Sequence, residues 1–417
     1  MTTTKAGAAA ETGTTRGLVL QYLWLVGSRI VAAALQAATV LLLARWTPPS
    51  SFGQIVALLG VLVVVGALAD LGLGPLLLRE KSLDSTTGIT ARILRLNSMT
   101  SCALCLFTAA GIGVLGLYRS EEYILLLPLS IWIAAEKNGA VWLSLAIADG
   151  RTHLSAISLL LRRTVGLGIF VAFSKLIAVP LAFALGQAVA SVLVNLLMRV
   201  RLRQTKSKGN GPSFRQLSRR AIPFYLNSVG AQLRNLDVAI VFAVAGSLVG
   251  GVYAVPARLT SPLRMLPTTL GPVIVRYATM GTRTAFKAIR AVSLTVMAVM
   301  TLGMAVLFIG APTLVGYTLG NAYLPSVLPL RITCIGLVFA FAISLQTSFL
   351  QGRGLEHFVG RVGIAVSVLV LPVIALGAAL YGAAGAAAAV TASFAIHSLL
   401  LAPKTAACAK TPSFENS

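Results

Sequence analysis

Long apolar runs separated by short polar loops are the feature that most constrains this chain. A helix needs about 20 predominantly apolar residues to cross the hydrocarbon core of a bilayer, and such runs recur from Gln21 to Leu401. Only 11% of the residues are charged, whereas a soluble domain carries about 25%. We therefore predict an all-α polytopic membrane protein with about twelve transmembrane helices.

The boundaries of these spans follow from the ends of the apolar runs. The predicted spans are 21–44, 52–78, 95–117, 123–148, 159–173, 177–198, 222–245, 251–275, 291–309, 327–350, 362–381 and 383–401. The fifth and sixth divide at the short break Ser174-Lys175, and the last two divide at Gly382.

Positive charge is concentrated on alternate loops. If the N-terminus is cytoplasmic, the inner segments carry 23 Lys and Arg, whereas the outer loops carry only Arg45, Arg119 and Lys175. The positive-inside bias predicts this distribution for twelve spans with both termini in the cytoplasm. It also accounts for the net charge of +23 without nucleic-acid binding, since no soluble segment has a basic face with interleaved aromatics.

The stretch Arg199–Arg220 divides the chain near its midpoint. It holds eight Lys and Arg and no acid, and its glycines and Pro212 interrupt any continuous helix. We predict a basic cytoplasmic linker between two six-span bundles at 18–198 and 221–402. A disordered cytoplasmic tail at 1–17 and a second cytoplasmic tail at 403–417 complete the predicted organisation.

A short internal repeat relates the two predicted bundles. Residues 73–79 read LGPLLLR and residues 270–276 read LGPVIVR, near the ends of the second and eighth spans. Because each half contains an even number of spans, the repeats are parallel and related by an axis along the membrane normal. We expect two pseudo-symmetric bundles that enclose a central site and work by rocking.

Several charged side chains lie deep within predicted spans, where charge is expensive and normally faces protein or a wet cavity. The deep cations are Arg29, Lys137, Arg234, Arg258 and Arg264. Cations outnumber the deep acids, so pairing among them leaves positive charge to be neutralised. We predict that these five side chains line a central cavity for an anionic substrate, with phosphate a natural candidate for the planar Arg fork.

The deep acids Asp70, Glu136 and Asp237 are the candidate sites for coupling to protons or cations. Two structural alternatives stay open. Asp237 lies three residues from Arg234 and could pair with it on one helix face. Asp70 could extend to the inner surface or pair with a neighbouring base. Arg162 and Arg163 lie nearer span ends, where snorkelling to the interface accounts for them.

The sequence offers no sign of a cofactor or a resident metal. There is no Gly-rich nucleotide-binding loop of the G-x-x-x-x-G-K-[ST] type, so we expect no ATP hydrolysis by this chain. Cys102 and Cys105 form a C-x-x-C motif inside an apolar run without a second ligand pair nearby. None of the three histidines has neighbours that suggest a metal site.

Motifs along nearly the whole chain resemble the Wzx-like lipid-linked oligosaccharide flippases of the multidrug/oligosaccharidyl-lipid/polysaccharide (MOP) exporter superfamily. The motifs are ARW at 44–46, FG at 52–53, ADLGLG at 69–74, IPF at 222–224, NLD at 235–237, GVYAVPARL at 251–259 and YGAAGAA at 381–387. The chain ends after twelve predicted spans, which argues against the lipid II flippases of the superfamily, since these carry two more helices.

The resemblance implies a V-shaped pair of six-helix bundles around a central cavity. It also implies transport of an undecaprenyl-pyrophosphate-linked glycan from the inner to the outer leaflet of a bacterial plasma membrane by alternating access. The five deep cations would then face the pyrophosphate and the glycan. Membrane lipids, a polysaccharide polymerase and a chain-length regulator are the expected partners.

Two other functions compete with this one. A cation-coupled multidrug exporter of the same superfamily would prefer acids and aromatics in its cavity, and the excess of deep Arg disfavours it. A membrane polysaccharide polymerase or ligase would need a long outer loop with catalytic Arg or His. No outer loop between the predicted spans has that length, so we expect no enzyme activity.

Overall fold

The computed structural model describes residues 27–28, 30–82, 89–149, 151–202, 221–222, 225, 229, 232–260, 263, 270–280 and 282–410. At positions 79, 80, 82, 152, 272, 276, 280, 283 and 410 it describes the backbone alone. The candidate cations Arg29 and Arg264, the tail 1–17, linker residues 203–220 and residues 411–417 lie outside the described residues. The all-α polytopic fold is confirmed.

Every regular element within these ranges is a helix. The α-helices are α1 (Ile30–Trp46), α2 (Pro49–Asp70), α3 (Leu73–Ser82), α4 (Ile89–Tyr118), α5 (Pro128–Ala148), α6 (Thr152–Phe173), α7 (Val179–Arg201), α8 (Asp237–Leu259), α9 (Gly271–Met280), α10 (Arg283–Thr318), α11 (Val327–Gly352) and α12 (Glu356–Lys410). Three 3₁₀ helices are Glu121–Leu126, Leu233–Leu236 and Asn321–Ser326.

Nine spans in the described part of the chain are long and apolar enough to cross a membrane, and α1 is a shorter apolar helix. Large apolar side chains are exposed along them, such as Phe107 at 69% on α4 and Ile309 at 75% on α10. In water such exposure would be costly, whereas lipid solvates these side chains. The protein is a multi-pass membrane protein.

Backbone breaks at glycines divide two of the longer elements. Gly382 has φ 59° and separates 356–381 from 383–410, which confirms the predicted division of the last two spans. Gly246 has φ 88° and interrupts α8. A residue with a side chain would be strained at these positive φ values.

The predicted spans at 52–78 and 251–275 are each broken in two. Leu71 and Gly72 both have positive φ and separate α2 from α3, while α8 ends at Leu259 and α9 begins at Gly271. The LGP repeat accounts for both short helices, because it lies at the start of α3 and at the start of α9. Proline fits the first turn of a helix, where its missing N–H has no partner to lose.

By its internal contacts the chain forms two units. Unit 1 comprises residues 1–36 and 66–228. Here α5 packs against α3, α4 and α7, and α6 packs against α7. The core of the unit is apolar and includes Leu76, Ile93, Val141, Leu145 and Met198.

Unit 2 comprises residues 37–65 and 229–417. In this unit α11 packs against α9, α10 and α12. The packing of α9 on α11 parallels that of α3 on α5 in unit 1, and the LGP sequence lies at the start of both short helices. Residues 37–65 belong to unit 2, so the contacts do not follow the linear division at 18–198 and 221–402, which stays a prediction.

Candidate functional site

Lys137 lies on α5 inside unit 1 and is 5% exposed. Its Nζ lies 3.1 Å from Oδ1 of Asn97 and 3.4 Å from Oγ of Ser101, and it also donates to Oγ1 of Thr100. An ammonium has three N–H donors, and α4 alone supplies enough acceptors for all of them. The charge is therefore solvated by polar groups of the neighbouring helix.

Asp70 is the acid associated with Lys137. It ends α2, and its carboxylate accepts from the backbone N–H of Gly72 and interacts electrostatically with Lys137. The turn at Leu71–Gly72 places Asp70 at the end of α2. The structure thus brings together one predicted cation and one predicted coupling acid in unit 1.

Glu136 precedes Lys137 on α5 but faces a different helix. Its Oε1 forms an ion pair with Nη1 of Arg162 on α6. The side chain of Arg162 is 7% exposed and that of Glu136 is 33% exposed. Snorkelling therefore does not describe Arg162, contrary to the sequence-based interpretation. Its guanidinium remains in the protein interior because the carboxylate is there.

Arg234 lies in a polar and aromatic cluster in unit 2. Its Nε donates to Oγ of Ser367 at 3.0 Å, and its Nη2 lies 3.5 Å from Nδ1 of His397. The guanidinium also stacks over Phe394, 5.5 Å from the ring centroid. The 3₁₀ helix Leu233–Leu236 positions Arg234, while α12 supplies the other three residues. Sequence spacing indicated neither Ser367 nor His397, because their contact with Arg234 spans more than 130 positions.

Asp237 begins α8 and does not form the proposed ion pair with Arg234. Its Oδ1 accepts from the backbone N–H of Val238 at 2.7 Å, and its Oδ2 accepts from the hydroxyl of Tyr253 at 3.2 Å. A carboxylate at a helix N-terminus is stabilised by the helix dipole. Among the described residues, the ion pairs within 4 Å are Lys81–Asp149 and Glu136–Arg162.

Arg258 lies near the end of α8 and is half-buried. Its Nη2 donates to the backbone carbonyl of Val56 at 3.4 Å. One turn further along α2, a Cβ built on Gly60 would lie 2.2 Å from the carbonyl oxygen of Asn235, so the missing side chain lets the two backbones approach. In unit 2, Arg234 and Arg258 therefore contact different elements. Together with Asp70–Lys137 and Glu136–Arg162, these contacts place the described candidates in several local clusters.

No metal cluster is indicated in the part of the chain that the structure describes, since no group of three or more His, Cys, Asp or Glu side chains comes together there. The side chains that could hold an anion are the half-buried Arg234 and Arg258 in unit 2. Guanidinium groups present several fixed N–H donors and suit carboxylate or phosphate oxygens.

The chain matches no protein-family model and no curated protein sequence. Its fold, however, is similar to solved transporters. An inward-facing multidrug resistance MATE family transporter of the MOP superfamily is 13% identical, with a TM-score of 0.74, over 94% of this chain and 100% of that chain. The lipid II flippase MurJ in an inward closed conformation is 16% identical, with a TM-score of 0.74, over 93% of this chain and 87% of that chain.

A third similar structure is a MOP superfamily transporter from Pyrococcus furiosus, described as having a binding pocket of reverse polarity that suggests a different function. It is 14% identical, with a TM-score of 0.61, over 94% of this chain and 97% of that chain. At such low identity these likenesses show the fold alone. The structural neighbours are MOP superfamily transporters, and they include both drug exporters and a lipid flippase.

Proposed function

We propose that this protein is a flippase for an anionic, polyprenyl-pyrophosphate-linked oligosaccharide or polysaccharide repeat unit. It would move this substrate from the inner to the outer leaflet of a bacterial plasma membrane by alternating access. The proposal draws on the resemblance of the sequence motifs to Wzx-like flippases and on the fold shared with MOP superfamily transporters, one of which is a lipid II flippase.

The observation that carries the proposal is the setting of Arg234 in unit 2. The guanidinium lies against the neutral Ser367, His397 and Phe394. Asp237, the nearest acid in the sequence, is engaged by Tyr253 and by the N–H of Val238. These contacts hold the guanidinium in place, and its fixed fork of N–H donors suits the oxygens of a phosphate or a carboxylate.

The candidate residues divide into two roles in this proposal. Arg234 and Arg258 contact the phosphate or the glycan, together with Arg29 and Arg264. The sequence predicts that Lys137 also lines this cavity. Its hydrogen bonds to α4 fit better with a role in coupling, together with Asp70. Asp70, Glu136 and Asp237 remain the proposed coupling residues, with Asp70–Lys137 the pair best placed to respond to a bound proton or cation.

Depletion of the protein in its bacterial host tests the proposal. We expect the lipid-linked glycan to accumulate in the inner leaflet, where it can be separated from lipid extracts and measured by protection from an external glycosidase. Normal surface glycan after depletion, in a strain without a second transporter, would contradict the proposal. The polymerase or ligase alternative predicts instead that unpolymerised glycan reaches the outer leaflet.

The alternative of a cation-coupled multidrug exporter is supported by the similarity to MATE family transporters. A drug-susceptibility panel with and without the protein distinguishes the two functions. Increased sensitivity to cationic drugs, with normal surface glycan, would favour the exporter. The chemistry of Arg234 disfavours it, since a cationic drug gains nothing from a guanidinium.

A further inference from the structure

His397 is a buried imidazole that the sequence does not connect with Arg234. It lies on α12 after the break at Gly382 and is 5% exposed. Its Nδ1 faces Nη2 of Arg234 at 3.5 Å. Its Nε2 is buried and has no hydrogen-bond partner among the described residues.

The chemistry of Arg234 determines which nitrogen of His397 carries the proton. A guanidinium has only donors, so the nitrogen that faces it must be the unprotonated one. In the neutral ring the proton is then on Nε2. A doubly protonated ring would turn an N–H and a second positive charge toward the guanidinium, which is unfavourable inside a protein.

This tautomer leaves a buried N–H donor without an acceptor. Buried polar groups in native proteins are nearly always hydrogen-bonded, and an exception requires an explanation. Beside the ring, the part of α12 before Gly382 has Gly363, which offers space rather than a hydrogen-bond partner. A Cβ built on Gly363 would lie 4.0 Å from Cε1 of His397, and no other atom of the described residues would lie within 4 Å of it. Gly363 thus leaves room beside the Cε1–Nε2 edge of the ring.

We propose that Nε2–H of His397 donates a hydrogen bond to an anionic oxygen of the transported substrate, and that Arg234 holds the ring in the tautomer that makes this possible. In the empty state the unpaired N–H costs free energy, and the bond to the substrate removes that cost on binding. This inference rests on the proposed function in one respect, that the substrate is an anion. The oxygen belongs to the pyrophosphate or to a carboxylate of the glycan.

Two substitutions at position 397 separate donation to the substrate from mere contact with Arg234. In His397→Asn the amide oxygen can accept from Arg234, but no donor remains at the place of Nε2. In His397→Gln the longer side chain can present an amide N–H there. We measure binding of a short-chain polyprenyl pyrophosphate and, separately, of glucuronic acid to the purified full-length protein.

We expect His397→Asn to weaken binding of at least one probe by roughly 10- to 100-fold, the range for loss of a hydrogen bond to a charged group. We expect His397→Gln to retain most of the affinity and His357→Asn, on an exposed position at the start of α12, to retain all of it. Loss restricted to the pyrophosphate identifies the lipid-linked phosphate as the acceptor. Loss restricted to glucuronic acid identifies a glycan carboxylate.

The space beside the ring gives a second test. Gly363→Ala places a methyl group beside Cε1 without a clash, so it should hinder the approaching oxygen and weaken the same probe. Gly360→Ala is the matched control, because a Cβ at this position of the same helix would have none of the described atoms within 4 Å. Equal affinity of both variants and of the wild type would contradict the proposal.

The tautomer itself is measurable without any ligand. Nitrogen-15 NMR of selectively labelled histidine, with His153 and His357 replaced, should show His397 protonated at Nε2 and unprotonated at Nδ1. The opposite tautomer, or wild-type affinity of His397→Asn for both probes, overturns the inference. Wild-type protein that binds a probe through His397 but does not translocate lipid-linked glycan overturns the proposed function and leaves this inference intact.

Discussion

Gly251 lies directly against Pro49 in unit 2. A Cβ built on Gly251 would lie 1.7 Å from the carbonyl oxygen of Pro49, and one built on Gly53 would lie 2.3 Å from the backbone nitrogen of Gly251. The start of α2 and the middle of α8 therefore pack backbone against backbone. Tyr323 extends this contact, because its hydroxyl donates to the carbonyl of Thr47 at 3.2 Å and its ring meets Phe52 edge-on.

Gly251→Ala should force these two helices apart. We expect a loss of stability of about 1–3 kcal/mol, the usual cost of overpacking, seen as a lower thermal unfolding midpoint of the purified protein. Gly303→Ala on α10 is the control, since a Cβ there would lie more than 4 Å from every atom in the described part of the chain. An unchanged midpoint for Gly251→Ala would show that the two backbones do not pack this closely.

We expect Lys137→Met to lower the stability of the protein rather than to remove a direct contact with the substrate. The substitution removes the donor to Asn97, Thr100 and Ser101, and leaving buried acceptors unsatisfied costs about 1–3 kcal/mol. Thermal unfolding and binding of a polyprenyl pyrophosphate are measured on the same preparation. A wild-type unfolding midpoint combined with lost binding would instead support the direct role in substrate binding that the sequence predicted.

Glu136 and Arg162 should couple energetically. Each single substitution, Glu136→Gln or Arg162→Met, leaves one charge of a partly buried pair behind. Because the carboxylate side chain is 33% exposed, we expect each single change to cost about 1–3 kcal/mol, less than the breaking of a fully buried pair. A double-mutant cycle of unfolding free energies measures the coupling. Additive effects would contradict the ion pair as a stabilising contact.

Tyr253→Phe tests the contact that replaces the expected Arg234–Asp237 pair. Loss of the hydroxyl removes the donor to Oδ2 of Asp237, and we expect destabilisation of about 1–2 kcal/mol. Arg234→Gln provides the comparison. If Arg234→Gln and Tyr253→Phe prove strongly coupled through Asp237 in a double-mutant cycle, the separation of these two clusters is wrong.

The sequence predicts the fold far better than the site. Hydropathy is a local signal, so it locates the spans. The LGP repeat marks the start of α3 and of α9, but the packing of these helices on α5 and α11 is known only from the structure. Even the break at Gly382 can be seen in the sequence. The break at Gly246 likewise falls between the predicted spans 222–245 and 251–275. The break at Leu71 lies inside the predicted span 52–78, because a positive φ leaves no mark on hydropathy.

The partners of the deep charges depend on tertiary contacts. Spacing along one helix suggested that Arg234 pairs with Asp237, but Ser367 and His397 on α12 contact the guanidinium instead. Its distance from a span end predicts that Arg162 reaches the membrane–water interface. The ion pair with Glu136 holds its side chain in the protein interior instead. The partners of these side chains depend on which helices are neighbours in the fold, and hydrophobic periodicity does not determine the neighbours of a helix.

Translocation in proteoliposomes tests the central claim most directly. The protein is reconstituted with a fluorescent polyprenyl-pyrophosphate-linked saccharide, and access of the label to a membrane-impermeant quencher is followed over time. We predict translocation by the wild type and at least about a tenfold slower rate for Arg234→Gln, since loss of a charged hydrogen bond costs about 1.5–3 kcal/mol. Absence of translocation by the wild type, or an equal rate for Arg234→Gln, would contradict the proposed cationic site for a lipid-linked anion.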